Sequence, residues 1–193
     1  MLLEYKAAGT SKQQLSVTGG LSRSYRIPTF NDRYWGVQGN PNLKAEEGLN
    51  AEAGFSYLRQ MGHNHLKAKV NLFYMDVDNW IQWSPGSIDW EARNINRVVS
   101  KGLELQLQSL FHLGPLETEW GGNYSFNPVH DKDQNDKQLI YAPRHSGNFY
   151  GDLKWKAAGL SADASYTGER LHNKVGDSLP AHFLTNLSIW YRF

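Results

Sequence analysis

The chain contains no cysteine, which removes disulfide bridging and thiolate chemistry from consideration without selecting a compartment. No run approaches 18 consecutive apolar residues, and mean hydropathy is −0.59, so a transmembrane helix is excluded. An excess of either charge is missing too. With 20 basic against 19 acidic residues, no bulk field draws the protein to nucleic acid or to an anionic surface. The start, Met1-Leu2-Leu3-Glu4-Tyr5-Lys6, lacks a basic segment followed by an apolar core, so no signal peptide is expected in this chain. Catalytic signatures are also missing: no Gly-x-Ser-x-Gly elbow, no His-Glu-x-x-His and no phosphate-binding loop. An enzyme is not expected, and no cofactor is implied.

Aromatic residues, by contrast, are plentiful, with 7 Trp, 10 Tyr and 8 Phe among 193 residues. They sit in a period-two pattern. From Thr185 to Phe193 the odd positions read Thr, Leu, Ile, Tyr, Phe, while Asn186, Ser188 and Arg192 occupy the other face of the same strand. The alternation recurs along the chain. After the strand tail at Leu3 and Tyr5 come Leu15 to Tyr25, Leu49 to Tyr57, Leu66 to Tyr74 and Leu103 to Phe111. Leu116 to Phe126, Phe149 to Trp155 and Leu160 to Tyr166 complete the series. The expectation is an all-β fold, an antiparallel meander of about eight long strands forming one domain over residues 1–193.

Short and long connections take strict turns. Gly62-His63-Asn64, Gly114-Pro115 and Ala157-Ala158-Gly159 are tight, whereas 27–45, 78–97, 127–141 and 168–179 read as loops. That asymmetry between rims is typical of transmembrane barrels. Strands of about ten residues, tilted by ~40°, rise about 25 Å, the height of the apolar band of such barrels. Tyr25, Tyr74, Phe126 and Tyr166 end strands at the long-loop rim. Tyr5, Tyr57, Phe111, Trp155, Tyr191 and Phe193 end them at the other, with Val17, Ala53, Val70, Leu105, Ala162 and Leu187 between. Two aromatic belts flanking an aliphatic band match two lipid–water interfaces. The opposite parity carries Glu52, Lys67, Lys69, Glu104, Gln106, Glu117, Glu119, Asp152, Lys154 and Asp163, which cannot form a dry core. Outer-membrane lipid is therefore the expected partner of one face and a watery lumen or polar plug of the other. A portion of a larger barrel and a closed small barrel both satisfy the pattern.

One region is more specific. Tyr25-Arg26-Ile27-Pro28-Thr29 is followed by Gly39-Asn40-Pro41-Asn42-Leu43-Lys44-Ala45-Glu46 and then by Glu52-Ala53-Gly54. These pieces resemble the carboxy-terminal barrel segment of TonB-dependent outer-membrane receptors: an aromatic-Arg-x-Pro stretch, Gly-Asn-Pro-x-Leu-x-Pro-Glu, and Glu-x-Gly. Asn96 with Gly102-Leu103-Glu104, and Ala142-Pro143-Arg144-His145, are similar to two further strand entries of that family. Ala45 departs from it, standing where a Pro is usual. The resemblance implies a gram-negative outer-membrane location and a role in uptake of a scarce nutrient, such as a siderophore, haem or cobalamin. It implies that the barrel-assembly machinery reads the ending Ile189, Tyr191 and Phe193. Plug and TonB would be partners only in the full-length receptor. The alternative is a self-contained barrel with a structural or adhesive role.

Candidate ligand contacts are the loop aromatics Tyr34, Trp35, Trp80, Trp83, Trp90 and Tyr141, which either meet a flat or aromatic ligand or pack on one another or on further strands of a larger barrel. Two weaker features complete the reading. His63 and His65 lie two apart with no third metal ligand nearby in sequence, so a solvated turn is expected. Asp131 and Asp133 begin a calcium-loop-like spacing, but Asp136 and Ala142 stand where Gly and Glu are required, and an ordinary acidic loop is expected.

Overall fold

In the computed structural model, which describes residues 2–10, 12–86, 89–132, 137–172 and 176–193, the alternation becomes one twisted antiparallel sheet. Its strands follow chain order: β1 Leu2–Thr10, β2 Gln13–Arg26, β3 Glu46–Met61, β4 Asn64–Pro85, β5 Trp90–Leu113 and β6 Leu116–Phe126. After β7 Val129–Asp131 and β8 Lys137–Gln138 come β9 His145–Trp155 and β10 Ala158–Thr167. The hairpin β11 Arg170–Leu171 and β12 Ser178–Leu179 precedes β13 His182–Tyr191. The pairing path is β1-β2-β3-β4-β5-β6-β9-β10-β13, a nine-strand meander in which the expected strand tail at Leu3 and Tyr5 is a full strand.

The sheet is open. A closed small barrel would need β2 against β13; instead β2 pairs with β1 and β3, and β13 pairs with β10. Register carries one parity onto each face. Thr18, Gly54, Asn71, Glu104 and Ser125 stand in one cross-strand row, while Val17, Phe55, Val70, Leu105 and Tyr124 stand in the next row, on the other face.

The burial pattern inverts that of a soluble sandwich. Leu187 is 69% exposed and Ile189 77%, and Leu72, Leu105, Phe149 and Leu153 are exposed with them on the aliphatic face. Among the described residues, the buried hydrophobics Leu43, Val77, Ile81, Ala92, Val98, Val99, Val129, Leu139 and Ile140 all lie toward the long-loop rim. A surface so apolar is stable only where lipid replaces water. The polar face is bridged by hydrogen bonds such as Asn186 to Asp163 (2.8 Å) and Asn148 to Asn123 (3.2 Å). At the belts, Tyr166 packs on Phe183 with centroids 4.7 Å apart, and Tyr191 on Phe193 at 5.2 Å.

All four expected loops contain structure. Residues 78–97 are not a loop: β4 and β5 stay in register through Pro85↔Trp90, a hairpin of 22- and 24-residue strands. Its extension is covered on both sides. One cluster joins Leu43, Ile81 and Ala92 with Trp83; the other joins Val98, Val129 and Leu139 with Trp80, Ile95 and Ala142. Within 27–45, helix α1 (Phe30–Tyr34) is capped by Thr29, whose side chain accepts from the Asp32 N–H while the Asp32 carboxylate accepts from the Thr29 N–H. Loops 127–141 and 168–179 carry the short pairs β7–β8 and β11–β12.

Candidate functional site

The long-loop rim is organised by Arg26, the last residue of β2. Its guanidinium bridges two carboxylates, Nη1 to Glu46 Oε1 at 2.7 Å and Nη2 to Asp32 Oδ2 at 3.3 Å. Both acids are almost fully buried, Glu46 at 7% and Asp32 at 4% exposure, and burying such groups is costly unless they are paired and hydrogen-bonded. Glu46 Oε1 also accepts from the Ile81 N–H at 2.8 Å, and Asp32 Oδ1 from the Trp83 indole at 3.0 Å. Burial alone would raise the Asp32 carboxyl. The Thr29 backbone N–H, the Trp83 indole, the Thr29 hydroxyl and the Arg26 charge together outweigh it and hold the group below its ordinary 3.8.

The rest of the motif explains how loop 27–45 reaches that network. Pro28 is buried just before α1. At Gly39 a Cβ would come within 2.6 Å of the Trp35 backbone nitrogen, so only glycine lets the chain turn there. Asn40 donates its N–H to Asp32 O at 2.9 Å, and its side chain accepts the Asn42 N–H at 3.0 Å, a local turn that Pro41 stiffens. Leu43 then drops into the cluster with Ile81 and Ala92. Across the gap, Ala92 N–H donates to Gln38 O, and Gln38 Nε2 donates to Asp89 Oδ2 at 2.9 Å. Hydrogen bonds from Gln38 and the Trp90 N–H lower the Asp89 carboxyl. Further along the motif, Gly54 is buried on the polar face, where a Cβ would meet Thr18 Oγ1 at 2.5 Å; Glu52 lines a groove of about 460 Å³ there with Asn71, Phe73 and Glu104.

The six candidate aromatics divide. Trp83 packs against the Leu43, Ile81 and Ala92 cluster, and Trp80 against the Val98, Val129 and Leu139 cluster. Trp90 and Tyr141 remain 39% and 43% exposed and face each other at 5.7 Å. Tyr34 and Trp35 are exposed on and just after α1, with Phe30 5.1 Å from the Tyr34 ring. Asp32 escaped the sequence reading, although Thr29-x-x-Asp32 has the spacing of a helix cap.

The remaining features stand as follows. Ile189 and Tyr191 project from edge strand β13, and Phe193 is fully exposed beyond it. His63 lies 6.1 Å from the His112 ring, and His112 Nε2 lies 3.2 Å from Glu117. His65 is in β4, opposite Leu110. Among the described residues no group of three or more metal-ligating side chains is suited to an ion. Asp131 is buried in β7 opposite Lys137, whereas Asp133 to Asp136 lie outside the described residues. Asn96 is described only as backbone in β5.

An antiparallel wall with an apolar exposed face, aromatic belts and a polar inner face belongs to a transmembrane β-barrel. The family model for the TonB dependent receptor-like beta-barrel matches residues 3–193, and the chain belongs to that family. Its members are receptors of the gram-negative outer membrane, not enzymes. The chain is 29% identical over 175 residues to a vitamin B12 transporter, BtuB, of Vibrio vulnificus, covering 87% of this chain and 26% of that protein. It is 29% identical over 188 residues to BtuB of Photobacterium profundum, covering 92% of this chain and 29% of that protein. Among solved structures the copper transporter OprC superposes with a TM-score of 0.72 at 17% identity, over 99% of this chain and 30% of that one. The ferric enterobactin receptor of Pseudomonas aeruginosa gives 0.64 at 21% identity, over 99% and 32%. The chain thus spans less than a third of the length of these relatives.

Proposed function

We propose that this chain supplies part of the barrel wall, and part of the outward ligand-contacting rim, of a receptor that takes up a scarce nutrient of the metal-chelate class by TonB-dependent transport. The names of its relatives support that class, since they include vitamin B12 transporters, a ferric enterobactin receptor and a copper transporter. The observation that carries the reading is the pair Trp90 and Tyr141, side by side and exposed on a rim where Trp80 and Trp83 are packed. Large rings left in water at a rim built rigidly from below suit a flat or aromatic ligand. Tyr34 and Trp35 would extend that surface.

In the full-length receptor the polar face, with Glu52 and Glu104, would meet a plug domain, and TonB would act through that plug. The barrel-assembly machinery would read Ile189, Tyr191 and Phe193 on the exposed edge. The test is uptake by cells that depend on the full-length receptor. Trp90→Ala and Tyr141→Ala should lower uptake at unchanged surface level, whereas Trp80→Ala and Trp83→Ala should lower the surface level itself. Normal ligand affinity in the double variant Trp90→Ala/Tyr141→Ala would sink the assignment.

A further inference from the structure

A second cavity opens at the same rim, where the loop before β9 meets the loop after β10. It measures about 460 Å³, and its lining includes Gln138, Arg144, His145, Tyr166, Glu169 and Arg170. Backbone hydrogen bonds hold it open: Gly168 N–H to His145 O at 2.8 Å, Tyr141 N–H to Leu171 O at 2.7 Å and Asn127 N–H to Arg144 O at 2.8 Å. Both loops are thereby tied to the strand ends.

Its charge is unbalanced. Among the described residues Arg170 Nη1, itself out of reach of solvent, has no hydrogen-bond partner, a costly state for a cationic donor. Arg144 Nε donates to Gln138 Oε1 at 3.0 Å. Among the described residues neither guanidinium has a carboxylate within ion-pair distance. The one acid on the lining, Glu169, accepts from the Ser178 hydroxyl. His145 Nδ1 shares a 2.7 Å hydrogen bond with the Tyr124 hydroxyl. Tyr166, packed on Phe183, marks the same level.

We propose that this cavity binds a phosphate-type anion through Arg144 and Arg170. Two guanidinium groups on the lining of one cavity match tetrahedral oxyanions. The group is either a headgroup phosphate from lipid beside the Tyr166–Phe183 belt or a free phosphate from the aqueous side. The cavity has room for a headgroup as well as for a bare ion.

Two arms separate the sources. In the first, inorganic phosphate is titrated calorimetrically into the full-length protein in a nonionic detergent. In the second, the protein is reconstituted in vesicles of phosphatidylcholine with and without phosphatidylglycerol, and lipid retained after detergent extraction is measured by mass spectrometry. Saturable phosphate binding that weakens roughly tenfold or more in both Arg144→Gln and Arg170→Gln supports a free anion. Selective retention of phosphatidylglycerol, lost in the same variants without a phosphate signal, supports a headgroup. Arg144 is exposed, so Arg144→Gln decides alone if Arg170→Gln fails to fold. No binding in either arm, or binding indifferent to both substitutions, overturns the proposal.

Discussion

The indole Nε1 of Trp83 donates a 3.0 Å hydrogen bond to Asp32 Oδ1, joining a strand-hairpin extension to the cap of a five-residue helix 51 residues away in sequence. Trp83→Phe keeps a ring in the cluster with Leu43 and Ile81 but leaves that buried oxygen without its donor. The expected local cost is about 1–3 kcal/mol. Amide exchange over residues 29–43 should accelerate by roughly tenfold or more. Unchanged protection would show that the bond contributes nothing.

Acid should release the same loop. The Asp32 carboxyl is held below its ordinary 3.8, so its stabilising effect is complete above that value and is lost as pH falls through the depressed folded-state value. Emission from Trp83 should be flat from neutral pH down to about 4 and change only below it. Asp32→Asn should remove that transition. A transition already complete at pH 5 contradicts this account.

Arg26 neutralises two buried acids, yet its own side chain is 46% exposed, so water screens part of the interaction. Arg26→Ala should destabilise the rim by about 2 kcal/mol, below the 3–5 expected for a fully buried pair. Arg26→Lys should rescue little, because a single ammonium cannot hold the same forked geometry. Protease cleavage within 27–45 reports both; equal resistance of Arg26→Lys and wild type would contradict the forked role.

Neighbouring positions on β5 test the two faces. Leu105→Arg puts a charge into the apolar band and should cost about 2–4 kcal/mol in equilibrium folding into vesicles. Gln106→Arg, on the polar face with Glu104, should cost far less. The reverse order would place lipid on the wrong side.

Most of the sheet was legible because one face meets lipid and the other water, which leaves an uninterrupted period of two. The pattern fails where both faces are covered. Trp80, Ile81 and Trp83 are apolar in near succession because Trp80 serves one cluster and Ile81 and Trp83 the other, and Pro85-Gly86 then imitates a loop. β7, β8, β11 and β12, at two or three residues, are too short to show a period. At the rim, Arg26, Leu43 and Glu46 stood out by family resemblance, but their meeting with Asp32 and Trp83 depends on contacts 6 to 51 residues apart. Nothing in composition separates the packed Trp83 from the exposed Trp90.

The long hairpin also makes the rim lopsided. β4 has 22 residues and β10 has 10, so at ~3.3 Å per residue along strands tilted by ~40° the wall near Trp90 rises on the order of 30 Å higher than near Thr167. Within this segment, Trp90 therefore stands on the raised side of the wall and Thr167 on the low one.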